Sequence, residues 1–191
     1  QRNAIVQDMT LFGVGATADN VGNNGTTLGR IGFGYVYPDF NASFRYTTPS
    51  YNGTTISVGL YDPSQIKSGT AQASAAFTAN EADFPRVEAE LNISLSGISE
   101  GSNLAVSGMY QEADAGSEIE AKGIHVGGTL VGGPAALTAH YYNGECLGIT
   151  LQMDSGATSA DGICRDHDGY YVQGTYNYGS GKLGVSYGGS F

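Results

Sequence analysis

Residues 84–97, FPRVEAELNISLSG, limit the possible folds more than any other part of the chain. Apolar side chains stand at every second position from Val87 to Leu95, and polar ones stand between them, beginning with Arg86, Glu88 and Glu90. Because successive side chains of a β-strand point to opposite faces of a sheet, one face of this strand is apolar and the other is charged. The apolar face could cover the core of a soluble sheet. Alternatively, it could meet lipid while the charged face lines a water-filled barrel.

The same alternation recurs along most of the chain after residue 38. It predicts about eight strands of roughly 8–12 residues, close to the length that a tilted strand needs to cross a bilayer. The alternating segments are NASFRYTT, TTISVGLYD, the stretch quoted above, NLAVSGMYQE, GIHVGGTLV, AALTAHYY, GYYVQGTYNY and KLGVSYGGSF. No helical period competes with them, so the chain is expected to be all-β.

Short turns and long connections alternate between these strands. The turns PSYNG, SGISEGS, VGGP and YGSG contain the Gly, Pro, Asn and Ser residues that tight reversals require. The longer connections are PSQIKSGTAQASAAFTANEAD, EADAGSE and GECLGITLQMDSGATSADGICRDHDG. Outer-membrane barrels have short turns at one end and long loops at the other. The alternation therefore favours a transmembrane antiparallel up-and-down β-barrel.

Composition argues against several classes of function. The chain carries 8 Lys and Arg against 18 Asp and Glu, for a formal net charge of −10. Nucleic-acid binding depends on clustered cations at the phosphates, so we expect no nucleic-acid partner. The chain contains no G-x-S-x-G, H-E-x-x-H or phosphate-loop motif. We therefore expect neither an enzyme nor a cofactor, and we interpret the 191 residues as a single domain.

Tyrosine is abundant, with 13 residues in the chain. Tyrosines near strand ends would lie at the level of the lipid head groups, where amphipathic rings are favoured. Those near predicted strand ends are Tyr46, Tyr61, Tyr110, Tyr141, Tyr142, Tyr170, Tyr176, Tyr178 and Tyr187. The alternative is that tyrosine is simply common in strands.

Two segments resemble the general porins of Gram-negative outer membranes. GRIGFGYVYPDFNASFRYTTPSYNGTTISVGLYDP is similar to the strand and hairpin that follow the inward-folded third loop of those proteins, and YYVQGTYNYGSGKLGVSYGGSF is similar to a later hairpin. The resemblance implies about eight strands of a roughly 16-stranded porin barrel, so that the chain would be a fragment of a longer one. It also implies passive diffusion of small hydrophilic solutes and ions, a homotrimer in contact with outer-membrane lipid, and location in the bacterial outer membrane.

The resemblance further implies a constriction inside the channel. Residues 1–28 would form the constriction loop, although the Pro-Glu pair of the family pattern is missing here. Acidic groups on such a loop and guanidinium groups on the facing wall would set up a transverse field that favours hydrated, charged solutes. Alternatively, each of these groups forms a salt bridge without influence on permeation. The candidate pore-lining residues are Asp8, Arg30, Arg45, Arg86, Glu88 and Glu90.

Cys146 and Cys164 lie in the same long connection. Two cysteines in an exported protein most simply form one disulfide bond, here closing roughly 19 residues and adding about 3 kcal/mol in the chain-entropy treatment. Two free thiols are the alternative. Asp161 precedes the second cysteine, and Asp166 and Asp168 follow it; the three are weak candidates for binding a divalent cation. They lack the regular ligand spacing of a calcium loop, so we expect no metal site.

Three interpretations remain open from the sequence. The first is a general porin, present as its central portion. The second is a complete eight-stranded outer-membrane barrel whose interior is filled by side chains, acting as an anchor or a narrow channel; the final Phe191 mildly supports it. The third is a soluble secreted β-sandwich that binds a ligand through its loops.

Overall fold

A computed structural model describes residues 32–34, 36, 41–69, 77–80, 82–116, 118–154 and 156–191. The regular secondary structure of these residues is β-strand. The strands are β1 (Ser43–Thr47), β2 (Thr54–Tyr61), β3 (Ile66–Lys67), β4 (Thr78–Ala79), β5 (Arg86–Ser94), β6 (Asn103–Asp114), β7 (Glu118–Gly132), β8 (Ala135–Glu145), β9 (Asp166–Asn177) and β10 (Lys182–Ser190). The described part of the chain contains no helix that is long and apolar enough to span a membrane.

Eight strands form one antiparallel sheet in the order β1-β2-β5-β6-β7-β8-β9-β10. Each strand of this sheet pairs with the next one along the chain, and the only insertion among the described residues is the small β3-β4 pair between β2 and β5. This up-and-down order confirms the predicted fold class. Strands β1 and β10 form the two edges, so the described residues make an open section of barrel wall.

The burial pattern shows which way the alternating faces point. In β5, Arg86 and Glu88 are 0% and 1% exposed, whereas Val87 between them is 41% exposed. A soluble sheet would bury the apolar face instead. We call the polar, buried face the inner face and the apolar, exposed face the outer face. Exposed apolar residues of the outer face include Ile56, Val58, Leu60, Val106, Ile124, Val126, Leu130, Leu137 and Val172.

Register keeps the two faces continuous across strands. Leu91 of β5 pairs with Val106 of β6, which pairs with Val126 of β7. One residue along, Glu90 pairs with Ser107, which pairs with His125. Because side chains alternate with a period of two, a slip of one residue in any pair would bring charges to the apolar face. Polar side chains inside and apolar ones outside are the arrangement of a barrel wall in lipid.

The connections differ in length at the two ends of the sheet. Short turns lie at one end, which we call the turn end, and Asn52 and Gly53 adopt the left-handed conformation there, with φ of 49° and 79°. The opposite end, the loop end, holds the long β2–β5 and β8–β9 connections. The prediction of a long EADAGSE connection is wrong, because β6 continues to Asp114, which pairs with Glu118 of β7.

The tyrosines divide between the two faces. Tyr110, Tyr141 and Tyr170 lie on the outer face, where a girdle of amphipathic rings is expected. Tyr61 and Tyr142 are buried on the inner face, so their assignment to the girdle is wrong. The physical reason is strand parity, since Tyr142 directly follows the outward Tyr141, and Tyr61 stands two residues after the inward Gly59.

The orientation of the sheet predicts opposite effects for the neighbouring substitutions Leu91→Lys and Asn92→Lys. The first places a charge on the lipid-facing side and should lower the free energy of unfolding by about 2–4 kcal/mol if the site lies near the bilayer midplane. The second places the same charge on the inner face and should change it far less. Urea unfolding from phospholipid vesicles measures both values, and equal losses would contradict the assignment of faces.

Candidate functional site

A buried ion pair lies on the inner face of β5. Arg86 Nε donates to Glu88 Oε1 at 2.9 Å, and neither side chain is exposed. The guanidinium carbon of Arg86 also lies 5.0 Å from the centroid of the Tyr61 ring on the neighbouring strand β2. The Glu88 carboxylate compensates the buried charge of the Arg86 guanidinium, and the electron-rich face of the Tyr61 ring stabilises this cation further.

Gly59 makes room for this arrangement. A side chain at Gly59 would collide with the ring of Tyr61, two residues along the same inner face. With no Cβ at position 59, the ring can lie along the strand and reach the guanidinium of Arg86 on β5. The register supports the contact, because Tyr61 is the direct partner of Arg86.

A second ion pair lies closer to the edge of the sheet. Arg45 Nη2 is 3.8 Å from Glu90 Oε1 and donates to Ser57 Oγ at 3.0 Å. Ser57 stands between them because β2 lies between β1 and β5, and Ser57 pairs directly with Glu90. The Arg45 side chain remains 29% exposed. Of the two arginines, Arg45 is therefore the one whose charge meets solvent.

Imidazole and phenol rings line the inner face on β7, β8 and β9. The ring centroids of His125 and His140 are 4.4 Å apart, and those of His140 and Tyr171 are 5.0 Å apart. Ser107 Oγ lies 2.9 Å from His125 Nδ1. Strand parity places both histidines on the inner face, but the stacking of His140 on Tyr171 requires the sheet register that pairs these two residues. The wall thus changes from Arg–Glu ion pairs at β1–β5 to aromatic and polar rings at β7–β9.

The structure brings together four of the six candidate pore-lining residues. They lie on the inner faces of β1 and β5, which are separated in the sheet by β2: Arg45, Arg86, Glu88 and Glu90. Asp8, Arg30 and the predicted constriction loop of residues 1–28 lie outside the described residues.

The β8–β9 connection contains the cysteines. Cys146 and Cys164 are joined by a disulfide bond, with the sulfur atoms 1.98 Å apart. Asp161 lies within this connection, whereas Asp166 and Asp168 belong to the beginning of β9. Nowhere in the part of the chain that the structure describes do three potential metal ligands of the His, Cys, Asp or Glu type come together.

An antiparallel sheet with an apolar outer face and a polar inner face defines the wall of an outer-membrane β-barrel, in which every backbone polar group is satisfied between strands. A model of the family described as Gram-negative porin matches residues 2–190. This chain therefore belongs to the Gram-negative porin family, as the two resembling segments indicated, and its location is the bacterial outer membrane. No curated protein and no solved structure gave a match.

The buried pair predicts strong non-additivity in stability. Glu88→Leu leaves the Arg86 guanidinium buried without its carboxylate and should cost about 3–5 kcal/mol of unfolding free energy. The double variant Glu88→Leu/Arg86→Met removes both charges and should recover part of that loss. Arg45→Met is the control, because a partly exposed pair contributes about 1 kcal/mol or less. Guanidinium unfolding followed by tyrosine fluorescence measures all three. A double variant that is less stable than Glu88→Leu alone would contradict the coupling.

Proposed function

We propose that this chain forms part of the wall of a water-filled channel, through which small hydrophilic solutes and ions diffuse passively. The observation that carries the proposal is the polar inner face, on which the charge of Arg45 meets solvent, opposite an apolar outer face. Charges are costly in hydrocarbon and cheap beside water, so the polar side of a membrane wall faces an aqueous space. Membership of the porin family supports this function over catalysis.

The open sheet supports a wide barrel over a complete eight-stranded one. In the described residues the edge strands β1 and β10 pair only with β2 and β9. An eight-stranded barrel would join its first and last strands and fill its interior with side chains. A larger porin barrel, to which this chain contributes about eight strands, leaves an aqueous bore.

The inner-face charges have different roles in this proposal. Arg45 acts directly on permeating ions, since its side chain is in part exposed, whereas its partner Glu90 is buried. Arg86 and Glu88 line the same wall, but they compensate each other and contribute a local dipole. Asp8 would lie on the constriction loop of residues 1–28, and Arg30 would follow it on the basic wall. These charges together would favour hydrated and charged solutes over apolar ones.

The outer face implies the partners. Its exposed apolar residues require either acyl chains or another protein surface, because a patch of this kind is unstable in water. We propose outer-membrane lipid around most of the wall and two further copies of the chain in a homotrimer, as the family resemblance implies.

Native mass spectrometry from detergent micelles tests the trimer, and a purely monomeric species would contradict it.

Charge reversal at Arg45 predicts a change in ion selectivity. Arg45→Glu should raise the cation-to-anion permeability ratio about fourfold. A unit charge about 8 Å from an ion in water contributes about 0.5 kcal/mol, so the reversal favours cations and disfavours anions by about 1 kcal/mol each, and salt screening reduces the summed effect to about 0.8 kcal/mol. Zero-current potentials of channels in a planar bilayer under a salt gradient measure this ratio.

Lys122→Glu is the matched control for this measurement. It makes the same change in charge, but Lys122 lies on the outer face at the loop end, beside Glu120 and Glu145. Only charges near the bore should affect selectivity strongly. An equal shift for both variants would contradict the role of Arg45, and a wild-type protein that inserts without conducting would contradict the channel itself.

A further inference from the structure

The inner face changes character toward the loop end. Met109 and Ala113 of β6, with Ile119 and Ala121 of β7, are buried and share the inner face with Ser107. We call these four residues the apolar patch. A wall bathed by water would carry polar side chains at these positions. The apolar patch therefore needs an apolar cover inside the barrel.

Two connections supply that cover. The β2–β5 connection contributes Ile66 and Ala79, and the β8–β9 connection contributes Leu147, Met153 and Ala157. All of them are buried in one cluster with the apolar patch. Burial of this kind is worth about 25 cal/mol for each Å² of apolar surface removed from water. The two connections thus fold inward onto the wall.

The two connections are also joined to each other. Lys67 N donates to Met153 O at 3.0 Å, Thr158 N donates to Lys67 O at 3.3 Å, and Gly156 N donates to Gly69 O at 3.0 Å. These backbone hydrogen bonds join the β3 segment to the β8–β9 connection. We call the joined unit, residues 62–69, 77–80, 146–154 and 156–165, the cap.

Ser64 attaches the cap to the wall. Its backbone N donates to Gln111 Oε1 at 2.9 Å, and Gln111 Nε2 donates to its backbone O at 2.7 Å. Arg86 Nη1 donates to Ser64 Oγ at 2.5 Å. Gln111 and Arg86 are both buried, so loss of these partners would leave polar groups unsatisfied. Arg86 therefore binds both Glu88 on the wall and Ser64 in the cap.

The disulfide bond closes the cap. Cys146 and Cys164 stand at the two ends of the β8–β9 connection, 18 positions apart, and both pack in the apolar cluster. A cross-link of this kind removes extended conformations of the connection. The inward-folded arrangement is therefore favoured over one in which the connection extends into solvent.

We propose that the cap occupies part of the bore at the loop end and sets the size limit for solutes that enter there. This inference rests on the proposed channel function. The inward-folded connections reduce the cross-section that is open to a solute at the loop end. Loosening the cap should widen the entrance without altering the wall below it.

Two independent changes loosen the cap. Cys146→Ser/Cys164→Ser removes the cross-link. Gly162→Ala leaves the cross-link in place but inserts a Cβ that would collide with the ring of Phe77 in the other connection, at a residue whose φ is +81°. Gly116→Ala is the matched control, because Gly116 has a similar φ of +88° at the same end of the sheet and a Cβ there meets nothing within 4 Å.

Single-channel conductance and swelling of liposomes in oligosaccharides of increasing length give the readout. Both loosening changes should raise the conductance and admit longer oligosaccharides than the wild type does, whereas Gly116→Ala should alter neither. A reductant added to wild-type channels already inserted in the bilayer should reproduce the effect. The same reductant should do nothing to the serine double variant. The reductant arm does not depend on the folding of any variant.

Unchanged conductance and size limit after reduction would overturn the role of the cap, and so would a decrease in conductance. Failure of the channel proposal looks different, because wild-type protein would then not conduct before reduction. Trypsin digestion gives a readout without conductance, since Lys67 and Arg165 lie in the cap. Reduction should accelerate cleavage at these sites, and equal rates with and without reductant would refute the closed cap.

Discussion

The structure depends on one constraint, which is that lipid must meet only apolar side chains while the polar groups of the same strands are satisfied on the other side. A β-strand meets this constraint by alternation, since its side chains point to opposite faces in turn. Register then extends the separation across the sheet, as in the rows through Leu91 and Val106 outside and through Glu90 and Ser107 inside. Antiparallel pairing satisfies the backbone, so the wall needs no polar group on its outer face.

The inner face uses its charges in two ways. Arg86 is enclosed by Glu88, Tyr61 and Ser64, so its contribution is to hold the wall and the cap together. Arg45 contacts both Glu90 and the hydroxyl of Ser57 and keeps contact with solvent, so its charge can act on ions in the bore. Substitutions of these two arginines should therefore separate stability from selectivity.

Much of the wall could be predicted from the sequence because parity along a strand is a local property. The inward positions of Glu88 and His125, and the outward position of Val106, follow from counting residues, and the structure agrees. The porin family was also recognisable from two short segments, and the family match confirms it. The predicted length of the β6–β7 connection was wrong, because the polar residues on both sides of the turn belong to the strands instead of forming a loop. The roles of Asp8 and Arg30 stay predictions.

By itself, the sequence determined the strands, their two faces and the family, because each rests on patterns within short segments. It did not distinguish Arg45 from Arg86, which have the same chemistry and the same parity. Only the tertiary structure decided that one is partly exposed and the other is enclosed, because the enclosing Ser64 lies in a connection that returns to the wall. The cap, too, was decided only by the tertiary structure. Its parts, such as Ile66, Met153 and Met109, are far apart in the chain, and their contact exists only after the connections fold inward.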